Sequence, residues 1–182
     1  MPNIRRVTIA IILNLLLIFR SVPAGGADAI TGHVAMSIVP VGALAIAYLK
    51  DDTEGEKQFL RNLGANQLLN SLARLGFNQT SLGKRPNGGD YGFPSGHVAF
   101  AGAGASFLEE RYGWKYGVPA WALTGYVAYV RVDNRDHHVR DVLAASALAY
   151  LVAKLFVTPE YATHLAPVVG PDWLGLRWQR SW

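Results

Sequence analysis

Apolar residues recur along this chain in runs separated by short polar or glycine-rich pieces, and their spacing within the runs is helical rather than alternating. Met36 to Leu49 is almost wholly apolar and stops at Lys50-Asp51-Asp52. Glu56 to about Phe77 predicts an amphipathic helix whose apolar stripe is Phe59, Leu60, Leu63, Leu68, Leu69, Leu72 and Leu75. Three further helices are expected: Ser95 to Tyr112, ending at Gly113; Tyr116 to Val130, with Pro119 near its start; and His137 to Val157, ending before Pro159. Between them, Asn78 to Phe93 reads as a glycine-rich loop and Val132 to Asp136 as a short polar connection. The pattern predicts an all-α fold, a bundle of five to six helices with its chemistry at helix ends and connecting loops.

The chemistry-bearing residues fall at those junctions. Pro94-Ser95-Gly96 is a break followed by an N-cap residue, which puts His97 in the first turn of a helix. Unpaired N–H groups and the positive end of the helix dipole favour an anion there, and Arg85 and Arg131 supply planar forks able to clamp its oxygens. His137 and Asp141 are four residues apart, so they share a face if the chain is helical from His137 onward. A carboxylate on one ring nitrogen would fix the tautomer and leave the other nitrogen free to attack, which makes His137 a candidate nucleophile. His138 breaks that spacing and reads as a neighbour. Arg135, Asp136 and Arg140 read as a solvated charge cluster, and His33 and His164 as surface or packing residues.

Arg85-Pro86, Pro94-Ser95-Gly96-His97, and Arg131 with His137 and Asp141 resemble the three signature motifs of the type 2 phosphatidic acid phosphatase (PAP2) superfamily, over roughly Asn78 to Asp141. The chain departs from that pattern twice, with Asn78 in place of a lysine and Val130 in place of a serine. The lost lysine removes a positive charge from the phosphate cradle, and Lys84 is the sequence candidate to replace it. The resemblance implies that His137 forms a phosphohistidine, Asp141 orients it, and His97 protonates the departing oxygen and then activates water. It also implies that Arg85, Arg131, Ser95 and the Gly96 amide hold the phosphate, with neither metal nor cofactor. The activity expected is metal-independent hydrolysis of phosphate monoesters or pyrophosphates, of lipids or of small esters. A vanadium-type haloperoxidase and a non-catalytic binder of phosphorylated envelope lipids are the alternatives, the second motivated by Asn78.

Composition narrows the setting. The 182 residues suit one domain, and the absence of cysteine excludes disulfides and thiolate chemistry. A zinc site on His97, His137 and Asp141 is disfavoured because the flanking arginines repel a cation. Arg5-Arg6, the apolar stretch Val7 to Phe19 and Ala27-Asp28-Ala29 read as an export signal over residues 1–29, or as an uncleaved first membrane helix. Removing those residues lowers the net charge from +4 to +2, and no basic run interleaved with aromatics remains to favour nucleic acid. The phosphatase domain is then expected over residues 30–158, followed by an aromatic and basic tail over 159–182.

No segment after residue 29 reaches twenty apolar residues, and a helix of about 15 residues spans roughly 23 Å against a hydrocarbon core near 30 Å. Against this, the small-residue face Ala101, Gly102, Gly104, Ala105 suits close helix packing in lipid, and Trp173, Trp178 and Trp182 beside Arg177 and Arg180 suit a membrane interface. The expected location is the bacterial envelope, either the inner membrane with a periplasm-facing site or the periplasm. Membrane lipid is the expected partner.

Overall fold

The computed structural model describes the backbone of residues 27–160, 163–169 and 174–180, and the side chains of residues 34–160. Residues up to 26 and the side chains of His33, His164 and the aromatic tail lie outside the described residues. Five α-helices carry the described fold: α1 Ala27–Leu49, α2 Thr53–Phe77, α3 Gly96–Tyr112, α4 Trp114–Asp133 and α5 Val139–Phe156. After α5, β1 Thr163–Val169 and β2 Leu174–Arg180 pair as an antiparallel hairpin.

Helix α3 is the hub, packed against α1, α2, α4 and α5. Its sequence explains this, because Ala99, Ala101, Gly102, Ala103, Gly104 and Ala105 present almost no side chain, and residues 98–108 are buried except Phe100. At the closest approach, a Cβ on Gly104 would stand 2.8 Å from the backbone of Pro40 in α1, so nothing larger fits. Phe59 and Phe107 meet edge to face, ring centroids 5.2 Å apart, and anchor α2 to α3 at the core. Gly113, with φ of 85°, turns the chain between α3 and α4 in a conformation that favours glycine.

Several boundaries differ from the sequence expectation, among them the start of α2 at Thr53 rather than Glu56 and the end of α4 at Asp133 rather than Val130. Helix α1 begins nine residues before Met36: residues 27–35 lack a strong apolar stripe but contain no proline to stop propagation. Helix α4 starts at Trp114, directly after the Gly113 turn. Helix α5 starts at Val139, with His138 as its N-cap, so His137 lies just outside the helix rather than in its first turn.

The face presented by α2 also differs. An amphipathic helix in water turns its leucines inward. Phe59 is buried and Leu60 and Leu63 pack on the core, but Leu68, Leu69, Leu72 and Leu75 are 60%, 43%, 55% and 63% exposed. Asn62, Asn66 and Asn70 occupy the inward face instead. Asn62 Nδ2 donates to the Ala103 carbonyl at 2.9 Å, and Asn66 Nδ2 to the Ala99 carbonyl at 2.6 Å. The small residues of α3 allow this approach, because a buried amide is tolerated only where it can reach a partner.

At the far end of α2, Asp52 caps the helix through Gly55 N at 2.8 Å and takes two hydrogen bonds from Arg111, at 2.8 and 2.7 Å. Tyr112 Oη donates to the same carboxylate at 2.8 Å, and Arg111 Nη1 donates to the Thr158 carbonyl at 2.8 Å. Burial raises the pKa of Asp52, yet the bonds from Arg111, Gly55 and Tyr112 outweigh it and hold the group below its ordinary value. This network ties α2, α3 and the end of α5 together, about 30 Å along α2 from the candidate site.

Candidate active site

The site forms where the loop after α2 meets the N-termini of α3 and α5. Ser95 N donates to the Asp141 carbonyl at 3.1 Å, so the cap of α3 is stitched to the first turn of α5. Loop residues 78–95 are held by a 3₁₀ turn, Ser81–Gly83, by Gly92 N on the Gly83 carbonyl at 2.7 Å, and by Tyr91 N on Asn78 Oδ1 at 2.8 Å. The Gly92 carbonyl is thereby presented to His137.

His137 is 2% exposed, and its Nδ1 lies 2.7 Å from that carbonyl. A carbonyl only accepts, so Nδ1 carries the proton and Nε2 keeps its lone pair. The expectation that Asp141 fixes the tautomer needs correction: Asp141 Oδ2 is 3.7 Å from Nδ1, beyond hydrogen-bond reach, and instead accepts from His138 N at 2.8 Å. The physical reason is the start of α5, since Asp141 is its N3 residue and closes the cap. Its carboxylate remains close enough to favour positive charge on the ring. Burial lowers the His137 pKa to about 4, with Arg85 and Arg131 pushing the same way against the Gly92 bond and Asp141. The ring is therefore neutral at neutral pH.

Arg85 and Arg131 are the cations nearest this ring in electrostatic effect, and each has a buried Nε without a hydrogen-bond partner. Arg131 Nη2 pairs with Asp136 Oδ2 at 3.0 Å, and Asn87 Nδ2 donates to Asp136 Oδ1 at 3.3 Å. Burial and the charge of Arg85 lower the pKa of Arg131, while Asp136 opposes them. Asp136 therefore belongs to the site's charge arrangement rather than to a solvated cluster. Ser95 is fully buried with its Oγ unpartnered, and Gly96 opens α3.

His97 follows in the first turn of α3, half-buried, and lines a cavity of about 290 Å³ with Met36, Gln67, Arg74, Gly96 and Phe100. Lys84 is held elsewhere: its ammonium pairs with Asp90 and its side chain is 62% exposed. Its charge is thus matched by Asp90. Arg140 lies 3.4 Å from Asp141 Oδ1 and bonds the Ser81 carbonyl at 3.3 Å. Among the described residues no group of three or more His, Asp or Glu is assembled as metal ligands.

Sequence reasoning missed three contributors. The Gly92 carbonyl leaves no side-chain signal. Asp136 was hidden among neighbouring charges. Arg74 had one signal, its place four residues after Asn70 in the series Asn62, Asn66, Asn70.

Chemically, the arrangement offers an imidazole lone pair and two guanidinium groups with spare donors, with the N-terminus of α3 and its His97 lining the cavity beside Arg74, groups suited to binding a phosphoryl group. Comparison with known proteins agrees. The chain is 29% identical over 135 residues to a lipid A 1-phosphatase of Helicobacter pylori, covering 71% of each protein. It is 36% identical over 107 residues to a lipid A 4'-phosphatase of the same species, covering 57% of this chain and 51% of the relative. No solved structure matches. The model of the PAP2 superfamily matches residues 30–162, and the chain belongs to that superfamily as a phosphatase.

Proposed function

We propose that the chain dephosphorylates a phosphorylated lipid of the bacterial envelope through a phosphohistidine on His137. The observation that carries this reading is the neutral, buried imidazole whose Nδ1–H is committed to the Gly92 carbonyl, leaving Nε2 as a nucleophile beside Arg85 and Arg131. Nε2 forms a bond to phosphorus as the ester P–O bond breaks, and protonated His97 gives its proton to the leaving oxygen. His97, now neutral, takes a proton from water as the water oxygen attacks phosphorus and the N–P bond breaks, releasing inorganic phosphate. Arg85, Arg131, Ser95 Oγ and the amide of Gly96 hold the phosphate oxygens through both steps. Asp141, 3.7 Å from Nδ1, balances the positive charge that the ring gains on phosphorylation.

Two observations support a lipid substrate. The relatives named above are lipid A phosphatases. In addition, Leu68, Leu69, Leu72 and Leu75 are exposed on the half of α2 that carries Gln67 and Arg74, where acyl chains could lie against the protein. No described helix is long and apolar enough to cross a membrane. The proposed placement is the envelope, in the inner membrane with the site facing the periplasm or in the periplasm, with residues 1–29 as signal or anchor and residues 159–182 at the interface.

The test is phosphate release from lipid A, phosphatidic acid and a chromogenic phosphate ester, each in EDTA. Release from the lipids that falls at least ~100-fold in His137→Ala and in His97→Ala is the expected result. Activity only on the soluble ester would remove the lipid assignment, and full activity in His137→Ala would remove the nucleophile.

A further inference from the structure

We propose that Arg74 is a third phosphate-binding guanidinium, reaching the substrate's phosphate beside His97 and supplying the charge that position 78 lacks. This rests on the functional reading above and names a residue that neither the motifs nor the loop arginines include.

The helix register places it. Asn62 on α2 meets Ala103 on α3, and Asn66 meets Ala99, so each step of four along α2 runs back four along α3. Continuing that antiparallel register puts Asn70 opposite the Ser95 cap and Arg74 beyond the helix, over its open N-terminus. The contacts agree. A Cβ built on Gly96 would stand 3.3 Å from Arg74 Nη1 and 3.9 Å from Asn70 Nδ2, and Arg74 Nη2 reaches the Tyr91 carbonyl at 3.4 Å.

The guanidinium is only weakly held by protein. Among the described residues no carboxylate pairs with it; its contacts are the long bond to Tyr91 and that residue's ring, 5.8 Å from Cζ to centroid. Arg74 Nε is buried without a partner, as is Gln67 Nε2 in the same cavity wall. Ser95 Oγ, at the neighbouring cap, is buried and unpartnered too. Spare donors around a cavity that also contains His97 call for an acceptor-rich ligand, which a phosphate is. Burial and then the charge of Arg85 lower the pKa of Arg74, a repulsion that a bound anion would relieve. Asn78 cannot supply this charge, because its amide is neutral, and its Oδ1 accepts from Tyr91 N.

Orthovanadate binding, measured by calorimetry on the full chain, tests the proposal without needing turnover, alongside kcat and KM on the chromogenic ester. Arg74→Gln should weaken vanadate at least ~10-fold and lower kcat/KM at least ~30-fold, with Arg74→Lys recovering most of both, since a lost charge-assisted contact to phosphate has that scale. Arg61→Gln, on the exposed first half of α2 near Glu54, should leave both within about twofold. Thermal melting is followed throughout, and should Arg74→Gln not fold, Arg74→Met takes its place. Unchanged vanadate affinity in a folded Arg74→Gln or Arg74→Met protein overturns the role of Arg74, whatever His137→Ala does. An inactive wild-type chain that still binds vanadate through Arg74 defeats the catalytic reading and keeps this one.

Discussion

Acidification should expose how His137 is held. In the unfolded chain its imidazole takes up a proton near 6.5, whereas in the folded protein burial keeps it neutral down to about 4. Protons then bind the unfolded state first, so the folded state loses stability as pH falls below 6.5 and bears the full cost below about 4. Above 6.5 the group contributes no pH dependence. The gap of about 2.5 units, at roughly 1.4 kcal/mol per unit, amounts to about 3 kcal/mol for a side chain that is 2% exposed. Histidine-selective NMR from about pH 7.5 to 4 should show the His137 imidazole staying neutral well below 6.5. Urea unfolding over the same range should show the wild type losing about 3 kcal/mol relative to His137→Gln. A His137 ring that titrates at 6.5 or higher would refute the reasoning, because burial would then not keep the proposed nucleophile neutral.

Two other substitutions separate structure from chemistry. Arg111→Met leaves Asp52 without its bidentate partner at a site where both side chains are 9% exposed, and should lower stability by ~3 kcal/mol in urea unfolding, with vanadate affinity unchanged in the fraction that remains folded. Asp141→Ala removes the α5 cap and the carboxylate 3.7 Å from His137, and should cost about 1 kcal/mol of stability and ~10-fold or more in kcat, KM moving less because phosphate is held by other groups.

Helix ends were legible wherever local chemistry stops a helix by itself. Gly113 closes α3, Phe77 precedes the glycine-rich loop, and Ser95 stands at the N-cap of α3 as expected, although its Oγ makes no capping bond. The positions of the motif residues were legible too, with Arg85 in a loop, Ser95, Gly96, His137 and Asp141 at helix starts and Arg131 in the last turn of α4. Their roles were less so. The pairing of His137 with Asp141 assumed a helix running through both, and a start two residues later gives the carboxylate to the cap and the ring to a main-chain carbonyl that no side-chain pattern reveals. Helix α2 misled for another reason. Reading the leucines as an inward stripe assumes water on the outside, while Asn62 and Asn66 find bonding partners on a glycine- and alanine-rich neighbour that only the tertiary structure supplies. Arg74 followed from the same inversion, because it occupies the face that the leucine pattern assigned to solvent.

The most direct test of the account is to stop wild-type protein with alkali while it turns over a ³²P-labelled phosphate ester in EDTA, then locate the label by peptide mapping. The account requires an alkali-stable, acid-labile phosphoryl group on the peptide containing His137, absent from His137→Ala. Label on any other residue, or turnover that continues undiminished in His137→Ala, would contradict it.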